Sequence, residues 1–269
     1  MIDLKCGDCL ELMKDIPDKS IDMILCDLPY GTTACSWDVI IPFDKLWEQY
    51  NRIIKDNGAI VLFGSQPFTT MLIASNMKMF REEIIWLKNK AGSGLQATQK
   101  HIKTHENIVV FSKKGTYTFN PQKWLVDKKE FLTQRKTFNE VEVGNNIYAK
   151  MTKVQKEDDG TRNPLSIVSA RVPFTPSASK EYSDDVEVRV HPTQKPVKLL
   201  EYLIKTFSNE NELVLDNCMG SGSTAIACLN TNRDFIGMEI EEKYYKIATE
   251  RVEKAKELSR NLFNLEESV

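Results

Sequence analysis

The sequence predicts an α/β fold whose sheet has mainly parallel strands. Three observations carry this expectation: short apolar runs alternate with stretches of helical periodicity, a buried run stops at Asp27-Leu28-Pro29-Tyr30, and a glycine-rich loop at Asp216–Gly222 joins a strand to a helix.

In chain order, residues 21–27 form an apolar run of strand length, broken by Pro29. Apolar residues recur at helical spacing over 43–54, Asn57-Gly58 marks a stop, and 59–63 read as a strand ended by Gly64. A helix is expected over 67–77. Residues 83–87 and 107–111 are two further strands, separated by a polar loop over 88–104. Over 112–185 the pattern dissolves into a polar, Lys-rich insertion. It then resumes with a helix at 196–207, a strand at 212–216, a helix at 223–229, a strand at 234–239 and a long helix at 241–258. That last helix carries Tyr245, Ala248 and Val252 on one side. The division expected is 1–111 and 186–269 as two halves of one core, with 112–185 inserted between them.

With 41% hydrophobic and 28% charged residues, the 269-residue chain has the composition of an ordinary globular protein able to bury a full α/β core. No apolar run approaches the roughly eighteen residues a membrane span needs, and residues 1–5 lack the regions of a signal peptide, so a cytoplasmic location is expected. The six cysteines read as reduced thiols. Cys6-x-x-Cys9 is the one metal-like spacing. With no second pair, and no matching pattern at His101, His105 or His191, no metal is expected. Net charge is −2, but residues 78–156 hold 16 Lys+Arg against 7 Asp+Glu, an excess of nine that leaves −11 elsewhere. This basic island is where nucleic acid would be met.

At the glycine loop, Gly220 and Gly222 let the backbone approach a ligand, and the amides opening the next helix, at Ser223 and Thr224, favour a carboxylate or phosphate. Glu239 ends the following strand, where an acid can accept both hydrogen bonds of a ribose diol. A P-loop is excluded because no Gly-Lys-Ser/Thr follows the turn. A dinucleotide site stays open, since Ala225 is an allowed third position.

Asp27-Leu28-Pro29-Tyr30 follows a buried strand, which puts it at the carboxyl edge of the sheet, where ligands of such folds bind. An exocyclic base nitrogen is a poor nucleophile because its lone pair is delocalised into the ring. A carboxylate and a carbonyl accepting its two N–H groups draw it towards a reactive geometry. Asp27 and the Leu28 carbonyl are the candidates, Pro29 fixes the turn, and Tyr30 stacks on an extruded base, a contact worth about 1–3 kcal/mol.

These residues together resemble the β group of amino-methyltransferases acting on DNA, in which an Asp-Pro-Pro-Tyr segment precedes the cofactor-binding glycine loop. The resemblance spans about 190 residues in two blocks. It implies a Rossmann-like methyltransferase fold, a mixed, mostly parallel sheet with helices on both faces plus an inserted target-recognition region, and S-adenosylmethionine as cofactor. Asp216, Gly220, Gly222 and Glu239 match the cofactor loop and ribose acid. His191-Pro192-Thr193-Gln194-Lys195-Pro196 resembles the segment lining the methionine end, assigning His191, Thr193 and Lys195 to the cofactor. Gly7-Asp8-Cys9 resembles the N-terminal segment in which Asp8 contacts its adenine. Leu28 departs from the usual first proline yet keeps the needed carbonyl. An aspartate at Asp27, where cytosine-specific relatives often carry serine, favours adenine.

The resemblance thus implies direct transfer to N6 of adenine in double-stranded DNA, with no covalent enzyme intermediate and no role for Cys26 or Cys35 as nucleophile. Lys88, Lys90, Lys100 and Lys103 in the polar loop, and Lys113, Lys114, Lys123, Lys128 and Lys129 beyond it, are the phosphate-contact candidates. His101 and His105 read as solvent-facing, with a place near the flipped base as the alternative. N4-cytosine methylation is the nearest rival. Methylation of RNA or a protein amide is another, disfavoured because its relatives place the glycine loop first. A DNA-binding module without turnover is a third. A homodimer and a companion restriction nuclease are further candidate partners.

Overall fold

The structure is a computed structural model that describes residues 1–33, 35, 38–89, 97–125, 161–170 and 194–266. Its strands are β1 (Ile2–Cys6), β2 (Ile21–Cys26), β3 (Ile54–Gly64), β4 (Phe80–Lys88), β5 (His105–Phe111), β6 (Trp124–Leu125), β7 (Thr161–Arg162), β8 (Ile167–Ala170), β9 (Leu213–Asp216) and β10 (Asp234–Glu239). Its helices are α1 (Cys9–Leu12), α2 (Phe43–Ile53), α3 (Phe68–Ser75), α4 (Val197–Phe207), α5 (Ser223–Asn230) and α6 (Glu242–Glu266). Residues 1–120 and 166–269 form one compact unit and 121–165 a second. Within the second, the described segments pair as an antiparallel β6/β7 ribbon.

The larger unit holds a sheet of eight strands among the described residues, ordered β1-β10-β9-β2-β3-β5-β4-β8. Pairing is parallel from β1 through β3 and antiparallel at β3/β5 and β5/β4. All six residues of β2 are buried. Ile24 and Cys26 pack with Leu46, Trp47 and Tyr50 of α2 and with Phe68 of α3. Met23 and Leu25 pack on the other face with Leu203 and Ile204 of α4, Ala225 of α5 and Ala248 of α6. Helices therefore cover both faces, and β2 is apolar apart from Asp22, a buried carboxylate met by Lys55 and by the Leu213 amide (3.0 Å). Helix α2 buries Leu46, Trp47, Tyr50 and Ile53, a helical stripe.

Three features depart from the expected pattern. Strand β3 continues through Asn57-Gly58: its register with β2 jumps between Ile21↔Ile54 and Met23↔Ala59, a bulge in place of a stop. A Cβ at Gly58 would stand 2.8 Å from the Asp22 carbonyl oxygen, so glycine there serves close approach. Strands β4 and β5, consecutive in the chain among the described strands, pair antiparallel where mainly parallel strands were expected. Inside the stretch expected as polar insertion, β8 adds a parallel edge to β4. No helix among the described residues is long and apolar enough to cross a membrane.

Gly222 opens α5 at φ +79°, and a Cβ there would stand 3.0 Å from Ala248 Cβ and 3.2 Å from its Cα, on α6. Gly222→Ala should therefore cost at least about 1 kcal/mol from the left-handed backbone alone, read as a lower thermal unfolding midpoint. An unchanged midpoint contradicts this packing.

Candidate active site

The parallel strands β1, β10, β9 and β2 end on one edge of the sheet, in that order. Register aligns Cys6 with Glu239, Gly237 with Asp216, and Ile24 with Leu215. Neighbouring strands lie about 4.8 Å apart. Asp8, Glu239, Asp216 and Asp27 thus leave four adjacent strand ends on the same side. Past the strands, the Gly7 amide donates to the Glu239 carbonyl (2.9 Å) and the Met219 amide to the Met238 carbonyl (2.9 Å). The edge stays ordered where the glycine loop begins.

Asp216 is buried, and its carboxylate accepts from the Cys218 amide (3.1 Å) and the Thr224 hydroxyl (2.6 Å), tying the end of β9 to the first turn of α5. Burial pushes its carboxyl up to about 6 against those bonds, and the nearby Asp27 charge adds to the rise. Gly220 takes φ +54° and its amide donates to Glu239 Oε2 (2.9 Å), while the Glu241 amide donates to Oε1 (2.8 Å). Burial raises Glu239 as well, opposed by these amides. Arg251 donates to the Ser221 carbonyl (2.6 Å) and the Ser223 hydroxyl (3.3 Å), bracing the loop from α6. Asp8 caps α1 by accepting from the Leu10 amide (2.8 Å). The first-turn amides of a helix lack intrahelical partners, so the start of α5 is suited to an anionic group.

On the β2 side, Leu28 is buried, and the Tyr30 hydroxyl donates to Asp27 Oδ1 (2.6 Å). The Tyr30 ring stacks on Phe68, with centroids 4.8 Å apart and planes 29° apart. Lys195, just before α4, pairs through Nζ with Asp27 Oδ2. It therefore meets the candidate nucleophile-orienting acid directly, on the same edge as the cofactor residues among which it was expected. Burial raises the Asp27 carboxyl above the usual carboxylate range, and Lys195 pulls it back only in part. The loop beyond Tyr30 wraps Asp38, whose carboxylate accepts from the amides of Gly31 (2.8 Å), Thr32 (2.9 Å) and Thr33 (2.6 Å).

Glu106 also reaches this edge, pairing with Lys88 and standing 3.4 Å from Lys195 Nζ. Sequence reasoning missed Glu106 and Asp38. Only the antiparallel course of β5, which opens at the edge where β3 closes, brings Glu106 there. Lys103 donates to Ser65, just past β3, so it too lies at this edge; Lys100 is exposed, as are His101 and His105. Lys88 is engaged with Glu106 and sits 5.1 Å over the Trp86 ring, which leaves it poorly placed for phosphate. Lys113 and Lys114 are not brought to the site. They bind the Ile54 carbonyl (2.9 Å) and Asp56 (3.2 Å) at the opposite, amino end of β3. Lys123 is exposed in the second unit. Lys90, Lys128, Lys129, His191 and Thr193 lie outside the described residues.

Residues 21–250 match the profile of the family described as DNA methylase. The type II methyltransferase M.HpaI of Haemophilus parainfluenzae is 26% identical over 263 residues, covering 93% of this chain and 74% of that protein. The DNA adenine methyltransferase YhdJ of Escherichia coli K12 is 27% identical over 274 residues, covering 94% and 83%. Among solved structures, the M1.HpyAVI–SAM complex superposes with a TM-score of 0.59 at 24% identity, covering 93% of this chain and 100% of that one. The cytosine-N4-specific PvuII DNA methyltransferase superposes with a TM-score of 0.64 at 15% identity, covering 98% and 93%. At these identities the structures share the fold.

Asp38→Ala removes the acceptor of three backbone amides in the loop that carries Tyr30. Losing such bonds costs on the order of 1–3 kcal/mol where water cannot replace them. Amide exchange at Gly31, Thr32 and Thr33 should accelerate at least about tenfold. Unchanged protection there contradicts the role given to Asp38.

Proposed function

The chain belongs to the DNA methylase family, whose profile spans residues 21–250, and from that premise we propose that it transfers a methyl group from S-adenosylmethionine to N6 of an adenine flipped out of double-stranded DNA. The observation that carries this reading is the shared sheet edge: Asp27 follows β2 directly beside the glycine loop that follows β9.

On the donor side, Asp216, Gly220, Gly222, Ser223 and Thr224 form a strand-to-helix cradle, Glu239 takes the ribose hydroxyls, and Asp8 meets the adenine. The residues fit the group: a carboxylate suits the start of α5, and buried acids suit a diol. When bound, the donor supplies an electrophilic methyl on a sulfonium centre. His191 and Thr193 belong to the same proposal through the family resemblance.

On the acceptor side, Asp27 and the Leu28 carbonyl take the two N–H groups of the target amine and turn its lone pair towards the methyl. Pro29 sets the direction of that carbonyl. Phe68 covers one face of the Tyr30 ring, and the other stacks on the base. With the donor bound, the amine held by Asp27 and the Leu28 carbonyl would take the methyl group as its bond to sulfur broke, and the extra proton on the nitrogen would pass to water. Cys26 is no rival nucleophile, because burial pushes its thiol up to about 12 and keeps it protonated. Cys35 is exposed.

Residues 112–185 act as the target-recognition region between the core halves 1–111 and 186–269. Lys100 and Lys103, with Lys90, meet phosphates beside the flipped base. Lys88, Lys113 and Lys114 act only where the duplex runs past their present partners. The protein works in the cytoplasm on DNA, and a homodimer and a companion nuclease belong to this reading as partners. Asp27 supports adenine, while the N4-cytosine specificity of the PvuII enzyme keeps cytosine as the second reading.

Incubation with methyl-labelled donor and plasmid, followed by nucleoside analysis, should yield N6-methyldeoxyadenosine. N4-methyldeoxycytidine moves the assignment to the second reading, and unlabelled DNA overturns both. Asp27→Ala should lower turnover at least about a hundredfold while donor affinity stays within about twofold; loss of both together argues against the role. Because the carboxylate is the working form and burial raises its pKa, the rate should fall on the acid side at a pH above the usual carboxylate range. A rate flat down to pH 4 contradicts this. DNA affinity should fall by orders of magnitude between about 50 and 200 mM salt, and a flat response argues against phosphate contacts.

A further inference from the structure

Asp27 belongs to a partly buried chain of charges that methyl transfer itself does not require. Lys195, with 8% of its side chain exposed, pairs with Asp27 Oδ2, and its Nζ stands 3.4 Å from Glu106 Oε2. Glu106 pairs through Oε1 with Lys88. Its Oε2 is buried without a hydrogen-bond partner, the one such side-chain atom found among the described residues. The Lys195 ammonium also lies 4.9 Å over the Phe63 ring, so an aromatic face and two carboxylates enclose it.

An ammonium group has three donors. One is spent on Asp27, and a second acceptor stands a few tenths of an ångström beyond good hydrogen-bond range, which ends near 3.2 Å. With the Tyr30 hydroxyl on Oδ1 and Lys195 on Oδ2, both oxygens of Asp27 are engaged before any base arrives. An entering amine is itself a donor and competes with Lys195. A cation left on Asp27 would weaken the carboxylate as acceptor and oppose the positive charge that grows on the attacking nitrogen.

Resting on the amino-methyltransferase reading, we infer that Lys195 is a placeholder for the target amino group, passing from Asp27 to the unpartnered oxygen of Glu106 when the base enters. Glu106 is thus a positioning residue that acts through Lys195. No proton is transferred and no bond is made: the two carboxylates and the two ammonium groups keep their charges, and only the hydrogen-bond partner of Lys195 changes. The lysine holds the acid ionised while the pocket is empty and withdraws the competing charge once the pocket is filled. Tyr30, Cys26, Asp216, Lys88 and Lys103 are the other titratable groups facing this chain.

The test is single-turnover methylation of plasmid DNA across a pH series. Glu106→Gln keeps the shape, removes the charge that draws Lys195 away, and should slow transfer at least about tenfold with donor affinity within about twofold. Its acid limb should move to lower pH, since Lys195 then stays on Asp27. Lys195→Met should shift the acid limb to higher pH and still methylate DNA under alkaline conditions. Glu106→Gln/Lys195→Met should be faster there than Glu106→Gln alone, because no cation remains to compete. A Glu106→Gln enzyme within about twofold of wild type with an unmoved limb overturns the inference. A double variant slower than the single does so as well, as does a Lys195→Met enzyme that binds donor but never methylates. If the wild-type protein leaves DNA unmethylated, the underlying reading fails and this inference goes with it.

Discussion

Parallel pairing of β2 with β9 is the constraint on which the rest depends. Two strands separated by nearly 190 residues of chain run side by side, with Ile24 opposite Leu215, so the loops that leave their carboxyl ends share one edge. Helices on both faces make β2 apolar except at Asp22, which is paired with Lys55 and the Leu213 amide, and Asp27 emerges just past the strand where the packing ends. The same logic places Asp216 and Glu239 at the ends of β9 and β10. A one-residue slip in this register would turn each of these acids to the opposite face.

Concentrating acids at a buried edge has an energetic consequence. Burial raises the carboxyls of Asp27, Asp216 and Glu239 above their ordinary values. A group with a raised folded pKa contributes stability below its unfolded pKa and loses it as pH rises through the folded value, about 6 for Asp216. At neutral pH these acids therefore weigh against folding. The Thr224 hydroxyl, the amides of Cys218, Gly220 and Glu241, and the Lys195 ammonium offset part of that weight. Ligand donors at the same acids would offset more, which couples stability to occupancy.

Most of the architecture was legible because burial on two faces leaves a plain mark in sequence. The runs at 21–26, 213–216 and 234–239 are mainly apolar and lead to Asp27, Asp216 and Glu239, and Gly220 and Gly222 advertise a backbone that bends with positive φ. Strand β1 was not legible: five residues with Asp3 and Lys5 among them carry no distinctive pattern, and they become a strand by pairing with β10. The Asn57-Gly58 stop was a bulge, which the sequence writes with the same residues as a turn. Glu106 and Asp38 escaped notice for a common reason, since each acquires its meaning from partners brought by tertiary structure. Glu106 begins a strand whose antiparallel sense turns its start towards the site, and Asp38 closes a loop by collecting amides five to seven residues away. The converse holds for Lys113 and Lys114, basic like their neighbours in sequence yet carried by the same strand to the far end of the sheet.

The most direct test is a structure of the protein with S-adenosylhomocysteine and a duplex whose target adenine is free to flip. The shared-edge account predicts the exocyclic nitrogen within hydrogen-bond range of Asp27 and the Leu28 carbonyl, with its lone pair facing the sulfur across a gap that a methyl group would fill, reacting atoms about 3–3.5 Å apart. A nitrogen docked away from Asp27, or a sulfur seated on another edge of the sheet, would contradict it.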